Sequence, residues 1–240
     1  MAGGAYIALT GLRSRMEQLD RLAADIANTG TAGYKAERVT HVAVPRPDFG
    51  QVLESAVDVA AGPGRLDFRA GAIATTGRDL DMAIEGRGFF VVDTPAGQRY
   101  TRNGQFDRRA DGTLTTADGM PVLGENGPIK VADGPITVEA DGTLRAGGIV
   151  AGRLRIVDFE GTTGLAREEA GRFRAAGEAV PKTRPDAMVR GRSLEQSNVS
   201  LPERMVQLTE AARSFEALQR GIAVMLNDVD GRAISEFGRR

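Results

Sequence analysis

The 240-residue sequence contains no cysteine and no tryptophan, and His41 is its single histidine. The missing cysteines exclude disulfide bonds, thiolate catalysis and cysteine zinc sites. A transition-metal site built without cysteine and with one histidine would need unusual ligands. We therefore expect no metal, no cofactor and no catalytic residue in this chain, and we interpret His41 as a surface or partly packed side chain.

The chain also lacks a strong excess of charge and any long apolar run. Its formal net charge is −1, so no bulk electrostatic attraction to nucleic acid is expected. No apolar stretch approaches the roughly 20 residues that a membrane span requires, which predicts no membrane insertion. The first residues lack a basic region, and Arg13 interrupts their apolar run, so we expect no cleavable signal peptide.

Both ends of the chain carry apolar residues at alternating spacings of four and three, a rhythm that places a narrow apolar seam on a helix. We predict a first helix over residues 4–28 and a second from Ser200 to about Asp230, where Gly231 interrupts the pattern. Either the two helices form an ordinary hairpin on the rest of the chain, or their seams also bind further partners. The residues predicted to form this assembly interface are Leu9, Leu12, Met16, Leu19, Ile26, Leu201, Met205, Leu208, Phe215, Ile222 and Leu226.

Between the ends, the period of the apolar residues changes from 3.5 to two. From Asp79 onward, apolar and polar residues alternate and glycine-containing turns interrupt them, which is typical of antiparallel strands. The predicted fold class is α+β, with terminal helices pairing as a coiled-coil-like α-domain and a central antiparallel all-β domain. The predicted domains are 1–35 with 198–240 for helical assembly, 36–77 as an extended connector, and 78–197 as the β domain.

Turn signals punctuate the chain, which has 31 glycines. Asn28 and Gly30 are predicted to end the first helix, because both residue types tolerate left-handed backbone geometry. Asn103-Gly104 predicts a two-residue hairpin turn in which both residues have positive φ. The pentapeptide Ala-Asp-Gly-Thr-Leu occurs at 110–114 and 140–144 and indicates two similar hairpin turns. The residues predicted to have structural roles in turns are Asn28, Gly33, Gly86, Gly88, Asn103 and Gly104.

Several of these stretches, in this order, resemble the rod, hook and basal-body axial proteins of the bacterial flagellum. The stretches are 9–16, Ala24-Asp-Ile-Ala-Asn-Thr-Gly-Thr-Ala-Gly-Tyr-Lys35, 79–92, Tyr100-Thr-Arg-Asn-Gly-Gln-Phe106, 118–124 and Leu194-Glu-Gln-Ser-Asn-Val199. Within the family, the short chain and its ending at 232–238 are most similar to the cell-proximal rod type. Residues 160–185 match no stretch that we can assign.

The resemblance implies a non-enzymatic subunit of the flagellar rod that polymerises through its terminal helices into a tubular drive shaft. It implies other rod subunits, further copies of this chain and the flagellar export apparatus as partners, and a location in the periplasm-spanning rod. One alternative is a distal rod or hook-type subunit of the same family. Another, from a different class, is a soluble β ligand-binding module with helical dimerisation ends; an enzyme ranks behind both.

Overall fold

The computed structural model of the chain describes residues 2–38, 65–160, 164–176, 179–184 and 186–237, with backbone only for the helical residues 2–10 and 225–237. His41 lies outside the described residues. Two α-helices flank a body of short strands, which agrees with the predicted α+β class.

The helices are α1, Ala2–Ala27, and α2, Leu201–Phe237. The helix α1 matches the predicted segment closely. The predicted interruption of α2 at Gly231 is wrong, because the helix continues to Phe237. A glycine inside a helix costs only about 1 kcal/mol relative to alanine, which the helix-forming residues on both sides can offset.

The end of α1 also differs from its prediction. Asn28 and Gly30 do not adopt positive φ; the first residue after α1 that does is Gly33, at +68°. Thr31 closes the helix end instead, because its backbone N–H donates to the Asn28 carbonyl and its hydroxyl donates to Asn28 Oδ1, at 3.2 and 3.0 Å. The stop signal therefore acts through a side-chain turn at Asn28 rather than through a left-handed residue.

The described strands are short, with two to six residues each. They are β1 Glu37–Arg38, β2 Arg65–Leu66, β3 Ile73–Thr75, β4 Met82–Glu85, β5 Phe89–Thr94, β6 Gly97–Thr101, β7 Phe106–Arg108, β8 Leu114–Thr116, β9 Leu123–Gly124, β10 Gly127–Pro128, β11 Ile136–Val138, β12 Thr143–Ala146, β13 Ile149–Arg153, β14 Ile156–Phe159, β15 Leu165–Arg167, β16 Arg172–Ala175, β17 Pro181–Thr183, β18 Met188–Gly191 and β19 Ser193–Glu195.

The chain divides into two compact units. One unit contains both helices and β1, and the other, which we call the β unit, consists of residues 28–36 and 65–199. Residues 65–77 therefore belong to the β unit, although the sequence predicted a connector with little core there. The reason is Phe68, whose ring packs edge-on against Phe89 and Phe173 with centroids 5.3 and 5.2 Å apart.

The largest sheet of the β unit has six strands in the order β15-β16-β6-β5-β14-β17, and every pairing in it is antiparallel. A second sheet has the order β11-β12-β13, and β4 pairs with β18 while β3 pairs with β19. The predicted antiparallel β domain is thus confirmed. Residues 160–185, which the sequence left unassigned, supply β15, β16 and β17 of the large sheet.

Strand β5 separates the two apolar clusters of the β unit. Successive side chains of a strand point to opposite faces, so Phe89 and Val91 join one cluster while Phe90 and Val92 join the other. All four side chains are buried. The core therefore lies on both faces of the large sheet, which explains why the sequence reads Phe-Phe-Val-Val without alternation.

Two of the predicted turn types match the observed backbone. Gly86 and Gly88 connect β4 to β5, and their φ angles are +84° and +134°. In each Ala-Asp-Gly-Thr-Leu segment, the Asp side chain accepts a hydrogen bond from the backbone N–H of the Thr two residues later, at 3.0 Å in both cases. These bonds hold the pKa of both aspartates, Asp111 and Asp141, below its ordinary value.

The predicted two-residue hairpin at Asn103-Gly104 is wrong. Neither residue has positive φ, and the strands on either side, β6 and β7, pair with β5 and β8 rather than with each other. Asn103 Oδ1 accepts the backbone N–H of Gln105 at 2.9 Å, and Met82 N–H donates to the Gly104 carbonyl at 3.0 Å. Gly104 is needed for this close backbone contact and not for a turn.

Candidate assembly site

The helices α1 and α2 pack against each other within their unit. Arg204 Nε lies 3.1 Å from Asp25 Oδ2, so the end of α1 contacts the beginning of α2 and the pair is antiparallel. Leu22 and Ala211 are buried in the same unit, with 6 % and 3 % of their surface exposed. We call this arrangement the helix pair.

The predicted interface residues are only partly covered in the single chain. Met16, Leu201 and Met205 remain 57 %, 43 % and 56 % exposed. The side chains of Leu9 and Leu226 lie outside the described residues. The half-buried members of the predicted set are Leu12, Leu19, Ile26, Leu208, Phe215 and Ile222.

Among the described side chains of α1, residues 11–27, the most buried apolar one was missed by sequence reasoning. Leu22 does not belong to the 3.5-residue seam, but it lies three residues after Leu19. A straight α-helix has 3.6 residues per turn and drifts by about 20° per heptad relative to a 3.5 repeat. Within one chain, α1 therefore packs through a face rotated away from the seam, which leaves Met16 exposed.

A second group of residues lies in the β unit, where the stretch after α1 meets the stretch before α2. Gly33 has positive φ, and a Cβ at this position would lie 2.3 Å from the Arg102 carbonyl carbon. Its backbone N–H donates to the Glu195 carbonyl at 2.7 Å. No residue other than glycine fits this approach without displacing backbone, which explains the second glycine of the Gly-Thr-Ala-Gly-Tyr segment.

Tyr34 and Lys35 continue this contact. The Arg167 guanidinium lies 4.3 Å from the centre of the Tyr34 ring and donates to the Tyr34 hydroxyl oxygen at 2.5 Å. The same guanidinium donates to the Lys35 carbonyl. A planar cation can stack on the ring and bond at its edge at once, so Arg167 holds the segment against β15.

Lys35, Glu195 and Arg102 form a fully buried charge cluster, with residue exposures of 0 %, 1 % and 3 %. Lys35 Nζ donates to Glu195 Oε1 at 2.5 Å and to the Arg69 carbonyl at 2.8 Å. Arg102 Nη1 approaches Glu195 Oε2 at 3.3 Å, without hydrogen-bond geometry at that oxygen. Glu195 Oε1 also accepts the Gly71 N–H at 3.0 Å.

Burial and charge act against each other in this cluster. Burial lowers the pKa of Lys35, and the neighbouring Glu195 carboxylate opposes that shift. Burial likewise lowers the pKa of Arg102, again opposed by Glu195. Glu195 is therefore the main counter-charge of both buried cations, with smaller contributions from Asp67 at Lys35 and from Asp158 at Arg102, and the cluster depends on its negative charge.

Asn198 adds further hydrogen bonds between the stretch before α2 and the stretch after α1. Its Oδ1 accepts the Ala36 N–H at 2.8 Å, and its Nδ2 donates to the Asp67 carbonyl at 2.6 Å. Its own N–H donates to the Tyr34 carbonyl at 3.4 Å. The stretches 33–36 and 194–198, both singled out in the sequence, thus lie side by side and are joined by backbone and side-chain bonds.

The described residues can be compared with the geometry of a metal site and of a membrane span. Among them, no group of three or more His, Asp or Glu side chains is arranged to hold a metal ion. Within the same part of the chain, neither helix has an apolar stretch sufficient to span a membrane. The described residues provide a helix pair with exposed apolar side chains in one unit, and a hydrogen-bonded contact between the stretches 33–36 and 194–198 in the other.

Two family descriptions match the sequence. Residues 83–146 match the family described as "Flagellar hook protein FlgE/F/G D1 domain", and residues 190–225 match "Flagellar basal body rod FlgEFG protein C-terminal". The first match lies wholly within the β unit, and the second includes β19 and the first 25 residues of α2, from 201 to 225.

Whole proteins are similar over nearly the full length. The flagellar basal-body rod protein FlgF of Caulobacter vibrioides is 32 % identical over 92 % of this chain and 92 % of its own length. FlgF of Salmonella typhimurium is 34 % identical over 95 % of both chains. The flagellar basal-body rod protein FlgG of Bacillus subtilis is 29 % identical over 90 % of this chain and 92 % of its own.

Proposed function

This chain belongs to the flagellar basal-body rod protein family, and on that premise we propose that it is a structural subunit of the rod that polymerises through α1 and α2. It is FlgF-like in sequence, with 32–34 % identity over more than nine-tenths of two relatives of that name. The observation that carries the proposal is the apolar surface left open on the helix pair, at Met16, Leu201 and Met205.

The exposed side chains support a coiled-coil-like packing with helices of neighbouring subunits. When a partner covers large apolar side chains that are more than 40 % exposed, the complex is stabilised by about 25 cal/mol per Å² of apolar surface removed from water. In a pair of helices, each helix covers only one side of the other's apolar seam. The uncovered side of each seam is available to further helices. The seam spacing of 3.5 residues is the one that knobs-into-holes packing uses.

Repeated contacts between the helices of neighbouring subunits can build a tubular assembly. Contacts between different patches of neighbouring subunits, repeated head to tail without closing a ring, generate a helical assembly. A rod that transmits torque needs these repeated lateral contacts, and this explains why the subunit needs no catalytic residue.

The position in the rod and the partners are part of the same proposal. The FlgF-like sequence supports the cell-proximal part of the periplasm-spanning rod, with other rod subunits and further copies of this chain as neighbours. Delivery through the flagellar export apparatus is also part of the proposal. A distal position is the second candidate, supported by the 29 % identity to a FlgG protein.

Replacing Leu12 with aspartate tests the helix-based assembly. A carboxylate in an apolar interface costs several kcal/mol unless it protonates or reaches water, so we expect at least a tenfold loss of rod-incorporated protein and of swimming. The measurement is motility in soft agar, with immunoblots of isolated basal bodies, in a bacterium whose own copy of the gene is deleted. The double variant Leu12→Asp/Leu208→Asp should be at least as defective.

The matched control is Arg13→Asp, which introduces the same side chain at the neighbouring position. The Arg13 side chain is 83 % exposed and pairs with Glu17 on its own helix, so swimming should stay close to wild type. Normal swimming of the double variant would rule out assembly through the seam. Equal defects in Leu12→Asp and Arg13→Asp would point to a general intolerance of charge on α1.

Limited proteolysis should separate the two units in dilute solution. Isolated helices are marginally stable in water unless they bury an apolar face, whereas the β unit contains two apolar clusters. We expect protease to remove residues beyond 199 early and to leave the β unit intact, as followed by mass spectrometry. Protection of 200–230 equal to that of the β unit would contradict this expectation.

A further inference from the structure

The contact between α1 and α2 contains a buried ion pair among apolar neighbours. Asp25 is 2 % exposed at its side chain and Arg204 is 15 % exposed, with Arg204 Nε 3.1 Å from Asp25 Oδ2. Arg204 Nη1 also donates to Gln207 Oε1 at 2.6 Å. Leu22 and Ala211, which flank the pair along the two helices, are buried.

A buried ion pair is a poor source of stability. Desolvating both charges costs about as much as their attraction returns, and apolar residues of similar volume in the same place are often neutral or stabilising. Polar groups at such positions are best known for fixing the register and the partners of packed helices. Alignment of the two helices therefore explains this pair better than stabilisation of their contact does.

An apolar seam alone would allow the two helices to slip. Apolar residues recur every three or four positions, so a shift by one turn, about 5.4 Å, again sets apolar side chains against each other. A shift of three residues in one direction or of four in the other would bring Asp25 opposite Leu201 or Leu208. Either arrangement separates the Asp25 carboxylate from the Arg204 guanidinium and sets it against an apolar side chain, which is disfavoured.

We propose that the Asp25–Arg204 pair fixes the axial register of α1 against α2 and so determines which apolar side chains the helix pair offers to its neighbours. The first half of this inference concerns the single chain, and the second half rests on the proposed rod function. In this role Asp25 and Arg204 are positioning residues, because they align α1 with α2 and do not strengthen the contact between the helices.

The absence of cysteine from the sequence permits a direct measurement of register. Gln18 and Ala211 each lie seven residues from the ion pair, so they repeat its juxtaposition one heptad, about 10.5 Å, further along. A Gln18→Cys/Ala211→Cys chain reports the native register by disulfide formation under mild oxidation. Gln18→Cys with Leu208→Cys reports the slip that sets Asp25 against Leu201, and Gln18→Cys with Phe215→Cys reports the slip that sets it against Leu208.

The test compares these reporters in four backgrounds: unaltered, Asp25→Arg, the charge swap Asp25→Arg/Arg204→Asp, and the apolar double variant Asp25→Leu/Arg204→Leu. Cross-links are read in whole cells as faster migration on non-reducing immunoblots, and swimming is scored in the same variants without cysteines. Thermal unfolding of the purified full chain shows whether each variant folds.

We expect the native cross-link to fall at least threefold in Asp25→Arg and to recover to at least half in the charge swap. The apolar double variant should unfold at or above the temperature of the unaltered chain, yet lose at least threefold in native cross-link, gain slipped cross-links and swim at least fivefold less. This separation of register from stability is the result that a purely structural role would not produce.

Three results would overturn the inference. They are no native cross-link in the unaltered background, an apolar double variant with native cross-linking and normal swimming, or a charge swap no better than Asp25→Arg. If the apolar double variant shifted its register but swam normally, the register role would stand and the proposed helix-based polymerisation would fail. Conversely, if the unaltered protein were absent from isolated basal bodies, the rod function would be refuted. The inference about the register of the helix pair would be unaffected.

Discussion

Replacing Glu195 with alanine should destabilise the β unit by about 3–5 kcal/mol, because it leaves Lys35 and Arg102 buried without their shared counter-charge. A loss of this size is a large part of the total stability of a typical domain. Urea unfolding of the full chain, followed by tyrosine fluorescence, measures the effect, since Tyr34 and Tyr100 are both buried in this unit.

The control is Glu160→Ala, which removes the carboxylate of an ion pair with Lys182 at the surface. Exposed pairs contribute little to stability, so its urea midpoint should match that of the unaltered chain. If Glu195→Ala unfolded at the same urea concentration as Glu160→Ala, the buried cluster would not be a determinant of stability.

A second variant tests whether the loss comes from uncompensated charge. Lys35→Met in the Glu195→Ala background removes one of the two buried cations together with the carboxylate. We expect the double variant to be more stable than Glu195→Ala alone, since neighbouring sites in one charge network are not additive. A double variant whose loss equals the sum of the two single losses would show that Lys35 and Glu195 do not interact energetically.

The sequence predicted the elements that local periodicity controls. The 3.5-residue rhythm located both helices, and the period of two located the antiparallel β body. It did not place the break between β13 and β14, where Leu154 bridges to Gly124. Periodicity reports which face a residue occupies, but it does not report where a strand changes its partner.

The buried charge cluster could not be located in the same way. Lys35 and Glu195 are 160 residues apart in the sequence, and nothing in a single sequence marks two charged residues as a buried pair. The family resemblance did single out both stretches, 24–35 and 194–199, although it gave no physical reason for them. The structure supplies that reason, because the two stretches bond to each other within the β unit.

Asn103-Gly104 shows how a strong local signal can be overridden. The dipeptide favours a turn with two positive φ angles, but tertiary contacts used Asn103 for a side-chain turn and Gly104 for a close approach to Met82. A turn with positive φ and a close approach to Met82 both require glycine at 104. The two explanations differ in which other residues they would tolerate at this position.

Gly104→Ala should destabilise the β unit by about 3 kcal/mol or more. A Cβ at this position would lie 1.6 Å from the Met82 carbonyl oxygen and 2.7 Å from its carbonyl carbon, and backbone held by a hydrogen bond cannot move aside without breaking it. Overpacking of this kind is among the more costly single substitutions. The same urea experiment measures it.

Gly86→Ala and Gly104→Asn complete the test. Gly86 has a φ of +84° and open space around its Cα, so Gly86→Ala isolates the strain of left-handed backbone and should cost about 1–2 kcal/mol. Asparagine tolerates left-handed backbone but not a steric clash, so Gly104→Asn should be at least as damaging as Gly104→Ala. If asparagine at 104 were markedly better tolerated than alanine, positive φ would be the requirement at this site, and the close approach to Met82 would not explain the glycine.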